Sequence, residues 1–196
     1  MHQLFVFSGC TYLHLGLCEA LAGDDVQVIR VKTAEEVLEY PQGTGNRLLL
    51  VDAPKREPIV AARGKVFLWR WATLGGRQRD FPVLMYSDIG QGQGLDVYGV
   101  CSLSEQLPVS GLRAAILNAF KWPERFRRKA SGVVPELSVR QHQVLFATLA
   151  GLSVPTTARM LDANERLVLS TRTAVIDKLG LKNRVVLMSL KLKDFI

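Results

Sequence analysis

Leu137-Ser138-Val139-Arg140, then Val144-Leu145, Gly151-Leu152-Ser153, Ala158, Leu161 and finally Lys178-Leu179-Gly180-Leu181-Lys182-Asn183-Arg184 mark out four short helices at the end of the chain. Ser138 with Gln141 three residues on is a capping-box pattern, so the first helix is expected to start there. Leu137, Val144, Leu145, Leu149 and Leu152 recur at helical spacing and form its predicted inner face. Gly151 closes that helix and opens a turn. Ser153 caps a short second helix that tolerates Pro155, because first-turn amides have no helical partner; Ala158 and Leu161 face inward. Asn164 caps the third helix, with Glu165 in its first turn. Val168, Val175, Ile176 and Leu179 make the buried stripe of that helix, and Arg166, Leu169, Ser170, Thr173 and Asp177 its opposite face. Gly180 supplies the stop. Asn183 caps a fourth helix expected over Arg184–Leu192.

These motifs, at these spacings, resemble the LuxR/NarL-type helix-turn-helix domain of bacterial response regulators. The resemblance covers about 55 residues. It implies a DNA-binding transcriptional regulator that acts on double-stranded promoter DNA as a homodimer, or as a heterodimer with another LuxR-type regulator. In such a domain the third helix enters the major groove, whose base edges carry a readable donor and acceptor pattern. Transferred by position, Leu169, Ser170 and Thr173 face bases with Arg172 beside them. Thr156, Thr157, Arg166, Lys178, Lys182 and Arg184 are the matching candidates for phosphate contacts or scaffolding. The chain departs from its relatives in two places. Leu167-Val168-Leu169-Ser170-Thr171 stands where the family usually has Thr-Val-Lys-x-His, and Val154-Pro155-Thr156-Thr157 stands where Asn-Lys-Glu-Ile is common. Two groove-side cations are thereby lost, so an A·T-tolerant site of modest specificity is expected, read by a leucine against thymine methyls and by two hydroxyls.

Charge divides with the motifs. Residues 121–196 hold 14 Lys/Arg against 6 Asp/Glu, whereas residues 1–120 hold 11 against 12. A basic half beside a neutral half fits a polyanion partner at one end only. Between them, residues 121–136 carry two prolines, a glycine and the basic run Arg127-Arg128-Lys129, and are read as a linker. The domains expected are therefore 1–120, a linker at 121–136, and 137–196. The fourth helix is apolar over more than one stripe (Val185, Val186, Leu187, Met188, Leu190, Leu192), more than a single buried face needs. Val186, Leu187 and Leu190 are assigned to dimerisation, with docking on the N-terminal domain as the alternative.

The first half alternates apolar strands with amphipathic helices. Strands are expected at Leu4–Phe7, Val26–Val31, Leu48–Val51, Val83–Tyr86 and, weakly, Val97–Cys101; helices run through Gly16–Leu21, Ala34–Tyr40 and Leu112–Phe120. The alternation predicts an α/β domain with a flavodoxin-like parallel sheet, and it resembles a receiver domain more loosely than the C-terminal half resembles its family. Receiver chemistry requires an acidic pair for Mg²⁺, an acceptor Asp, a Ser/Thr and a Lys. Here Asp52 and Ser87 occupy the acceptor and switch positions, but Ser8-Gly9 replaces the acidic pair and the Lys position falls near Leu103. A degenerate receiver, independent of phosphorylation, is the result, with Asp52 a vestigial phosphoacceptor position. Only about ten residues, including Gly90-Gln-Gly-Gln-Gly94, connect Asp88 to Val97, so the usual fourth helix is expected to be missing. The aromatic run Ala61–Leu74, with Phe67, Trp69 and Trp71, is either core or a protein–protein face.

No nucleophile–base pair, phosphate-binding glycine loop or metal spacing stands out, so no enzyme, cofactor or metal is expected. His2, His14 and His142 are scattered. Cys10, Cys18 and Cys101, odd in number and far apart, read as free thiols of a cytoplasmic protein. Leu4–Phe7 is too short for a signal peptide or a membrane span. A second reading of the whole is an auxiliary or antagonist that pairs with another regulator and binds DNA poorly alone.

Overall fold

The computed structural model describes residues 1–74, 81–87, 98–127 and 134–195. Its chain divides into two compact units, Met1–Val134 and Pro135–Ile196. The expected glycine run at residues 90–94, the connection across 88–97 and Arg128-Lys129 lie outside the described residues.

The first unit is built on five parallel strands: β1 (His2–Phe7), β2 (Val26–Val31), β3 (Arg47–Asp52), β4 (Val83–Tyr86) and β5 (Cys101–Leu103), in the order β2-β1-β3-β4-β5. Parallel strands covered on both faces are near-continuous apolar runs, and Leu48-Leu-Leu-Val51 is wholly buried. Alternation then sorts the side chains between two layers. Phe5, Leu49, Val51, Val83 and Met85 pack with Val37 of α2 (Ala34–Glu39) and with Phe67, Leu68 and Trp71 of α3 (Pro58–Thr73). Leu4, Val6, Leu48, Leu50 and Leu84 pack with Leu17 of α1 (Thr11–Ala20) and with Leu112, Ile116 and Phe120 of α4 (Val109–Lys121). This is the doubly wound, flavodoxin-like order, with β1 and β3 flanking the reversal point.

The aromatic question is decided for the core. Phe67, Trp69 and Trp71 are all buried; the Phe67 ring stacks on Phe7 at 4.1 Å, and Trp71 meets Phe81 at 5.5 Å. Two expectations shift. The fifth strand is Cys101–Leu103 rather than 97–101, since Gly99 at φ +65° turns the chain just ahead of it. Helical order also enters the stretch read as linker: α4 runs to Lys121 and a single helical turn, α5, follows at Pro123–Phe126, where proline is at home in a first turn.

In the second unit, α6 (Val139–Leu149), α7 (Val154–Met160), α8 (Glu165–Lys178) and α9 (Arg184–Met188) follow in order. Val144, Ala158 and Val168 form the contact of the first three helices, and α9 packs against α6 and α8. The Ser138 capping box forms, with Ser138 Oγ accepting from the Gln141 amide at 3.3 Å and Gln141 Oε1 accepting from the Ser138 amide at 2.9 Å. The stop after α8 is a paired closure: the Gly180 amide reaches Asp177 O at 3.0 Å and the Leu181 amide reaches Ile176 O at 2.9 Å. That closure puts residue 180 at φ +62°, which glycine adopts without a Cβ clash. The α7–α8 turn closes the same way around Asp162 at φ +46°, a short polar residue that tolerates the left-handed region. Two details depart from expectation. Leu152 is 40% exposed rather than part of the inner face. Helix α9 ends at Met188, because Lys191 is extended and Leu192–Asp194 coil into a separate 3₁₀ turn tied by the Lys191 amide to Asp194 Oδ2 at 2.7 Å.

Candidate nucleic-acid interface

Two side-chain caps set the helix pair that the sequence assigns to DNA. Ser153 Oγ accepts from the Thr156 amide at 3.2 Å, fixing the start of α7, and Asn164 Oδ1 accepts from the Leu167 amide at 2.8 Å, fixing the start of α8. With Val168 and Val175 turned inward, α8 leaves Leu169, Ser170 and Thr173 exposed on one face, Arg166 exposed one turn earlier, and Arg172 half-buried beside them. Both hydroxyls are already engaged: Ser170 Oγ donates to Leu167 O and Thr173 Oγ1 to Leu169 O, each at 3.1 Å. Lys182 and Arg184 stand exposed on either side of Asn183, whose Oδ1 caps α9 by accepting from the Val186 amide at 3.0 Å.

Three groups of candidates make contacts within their own unit. Thr157 is buried, and its hydroxyl donates to Ser153 O at 3.0 Å, so it braces α7 as scaffold. The Lys178 ammonium donates to Glu136 O at 2.7 Å and to Gln141 Oε1 at 2.9 Å; it ties the end of α8 to the start of α6 as scaffold. Val186, Leu187 and Leu190, assigned to dimerisation, are at most 8% exposed within a single chain. The shortened α9 turns them into the core of their own unit. The apolar side chains it leaves outside are Val185, Met188 and Leu192. Thr156, half-buried, pairs its hydroxyl with Ser153 Oγ at 2.8 Å.

In the first unit, the residues at receiver positions gather at the C-terminal edge of the sheet: Ser8 after β1, Asp52 closing β3, Ser87 after β4 and Leu103 closing β5. Asp52 is buried and accepts a 2.5 Å hydrogen bond from Ser8 Oγ, which in turn accepts from the Cys10 amide at 2.9 Å. Behind it α3 passes so close that a Cβ on Gly64 would lie 2.8 Å from Asp52 O. Burial pushes the Asp52 carboxyl above its usual range; the Ser8 hydrogen bond pulls it back, and Glu57 and Glu105 add to the rise. The donor set does not fit Mg²⁺. It offers one carboxylate, with a hydroxyl in place of the acidic pair, and a hard dication needs several oxygen ligands with charge among them. Leu103, near which the resemblance expects the charge-neutralising lysine, is buried. Among the described residues no three His, Cys, Asp or Glu side chains converge on a metal position.

The sign of the Asp52 shift gives a prediction. A carboxyl whose folded pKa lies above its unfolded value of about 3.9 contributes stability in full below that value. The contribution is lost as pH rises through the folded pKa. The ionised carboxylate thus opposes folding at neutral pH, and Asp52→Asn, which keeps the acceptor for Ser8, is expected to raise Tm at pH 7. The gain should shrink towards pH 4 in thermal melts; a lower Tm at pH 7 contradicts the assignment.

No family model and no curated protein matches the chain. Solved structures do. A low-resolution structure of the response regulator StyR aligns at 18% identity, covering 96% of each chain with a TM-score of 0.41. Full-length FixJ from B. japonicum aligns at 19% identity over 98% of this chain and 96% of that one, TM-score 0.43. A structure of two RcsB dimers bound to two parallel DNAs aligns at 12% identity over 95% and 96%, TM-score 0.43. No helix among the described residues is long and apolar enough to cross a membrane.

Proposed function

We propose that the chain is a DNA-binding transcriptional regulator whose receiver-like domain (1–120) works without phosphoryl transfer and is joined by a basic linker (121–136) to the reading domain (137–196). The observation that carries this is the helix-turn-helix itself. A capped α8 presents an exposed polar and apolar face, and Arg166, Lys182 and Arg184 stand exposed around it in the half of the chain that holds the positive charge. Backbone cations supply affinity and register, and the α8 face supplies discrimination. The Ser8–Asp52 hydrogen bond supports the second part, because a neutral hydroxyl engages Oδ2 of Asp52 at the place where the resemblance expects an acidic pair to hold a metal.

The test is duplex binding by the full-length protein between about 50 and 200 mM salt, a range over which a protein neutralising several phosphates loses orders of magnitude in affinity. A flat salt dependence rejects the DNA assignment. In parallel, a small phosphodonor with Mg²⁺ is expected to leave the intact mass unchanged, and a phosphorylated species would restore the receiver to working order.

A second reading, an auxiliary that pairs with another regulator of this type, rests on an observation that the dimeric reading shares. Val185, Met188 and Leu192 are exposed apolar side chains around α9. In the dimeric regulator they belong to the contact between subunits; in the auxiliary they belong to a contact with a different chain. Light scattering of the purified protein separates the two, since only the first gives a dimer on its own.

A further inference from the structure

We infer that the centre of the α8 face reads bases solely by accepting hydrogen bonds and by apolar contact, so that it selects an adenine or cytosine amino group beside a thymine methyl and rejects guanine. This deepens, and rests on, the DNA-reading function proposed above. A serine or threonine hydroxyl has one proton to donate and lone pairs to accept with. The protons of Ser170 and Thr173 already lie on Leu167 O and Leu169 O, each across 3.1 Å within the helix. Turning either hydroxyl outward to donate to a base breaks a bond that the helix holds, so what each offers the groove is an acceptor. Leu169, 44% exposed between them and Arg166, offers methyl groups only. Long donors stand at the margins: Arg166 is one turn earlier and Arg172 is half-buried.

The major groove answers such a face in one way. Its donors are the N6 amino group of adenine and the N4 amino group of cytosine; guanine presents two acceptors, N7 and O6, and thymine an acceptor and a methyl. Ser170 or Thr173 opposite guanine sets acceptor against acceptor in a contact from which water is excluded. Opposite adenine or cytosine the same oxygens are satisfied, and Leu169 meets the neighbouring thymine methyl. An A·T pair supplies both the amino group and the methyl, which makes it the favoured step.

The experiment is selection from random duplex DNA with the full-length protein and three variants. The wild type is expected to select adenine or cytosine over guanine by about tenfold at two positions of each half-site, next to a thymine. Thr173→Val keeps the shape and removes one acceptor. It should erase the preference at one position of the selected consensus. Ser170→Ala should do the same at the other position. Ser170→Arg, which introduces a long donor, should convert that position to guanine. Guanine at these positions in the wild-type consensus, or an unchanged consensus for Thr173→Val, overturns the inference while leaving DNA binding intact. Failure of the wild type to retain any duplex in a salt-dependent way rejects the functional reading, and the inference with it.

Discussion

Leu187→Asp is expected to unfold the second unit rather than to separate subunits. Leu187 is fully buried, on a helix that packs against α6 and α8. Truncating such a leucine to alanine already costs about 2–5 kcal/mol, and an unpaired carboxylate in the same place costs more. A unit of about 60 residues has little stability in reserve. Leu190→Asp, 3% exposed, should behave alike. Val185→Glu and Met188→Glu touch exposed positions of the same helix and should shift stability by less than about 0.5 kcal/mol, so any change they cause in association is interpretable. Circular-dichroism melts with light scattering on each variant check this. If Leu187→Asp keeps a wild-type melt and only halves the mass, the leucine belongs to a subunit contact and the burial seen here is overridden in the dimer.

Which elements could be read from the chain follows from how local their causes are. β3 was legible because a strand covered on both faces is a run of apolar residues, and Leu48–Val51 is one. α3 was visible only as an aromatic stretch. It buries eight residues from Ala61 to Trp71, so much of its circumference that no single polar stripe marks the helical period. β5 was displaced because three residues with a serine in the middle carry no pattern of their own; their place is set by pairing Cys101–Leu103 with Leu84–Tyr86 across the sheet. The apolar excess around α9 was real, but its division depended on where the helix stops. Ending at Met188 turns Leu190 inward and leaves Leu192 outside.

The same distinction governs the site. The caps at Ser138, Ser153, Asn164 and Asn183 act three residues along the chain, within reach of sequence reasoning. For Lys178 the sequence leaves phosphate contact and scaffolding both open, because its partner, Glu136, lies 42 residues upstream. The loss of the receiver's acidic pair was visible as Ser8-Gly9. That Ser8 then engages Asp52, 44 residues away, was not. Thr157 differs in kind: its bond to Ser153 O spans four residues and is a common helical contact. What the sequence hid there was the burial, a property of how α7 packs.

Reversing the charge of both Lys182 and Arg184 to Glu is expected to weaken binding by about tenfold to a hundredfold, and by the same factor on unrelated duplexes. Both side chains are exposed, and among the described residues neither has an acidic partner within 4.0 Å to account for its position. They bracket Asn183, whose cap holds the start of α9 in place, so the two charges are displayed from a fixed turn. Contacts to phosphate carry no sequence information, which is why the loss should be uniform and why the slope of log affinity against log salt should fall by about 2. Structural damage is not expected from two exposed positions, and an unchanged melting temperature verifies that. Anisotropy titrations on several duplexes distinguish the outcomes. Unchanged affinity removes this turn from the interface, whereas a loss confined to one sequence makes Lys182 or Arg184 a reader of bases. In that case a guanine-selecting donor would stand in the turn before α9, beside the acceptor-only centre of the α8 face.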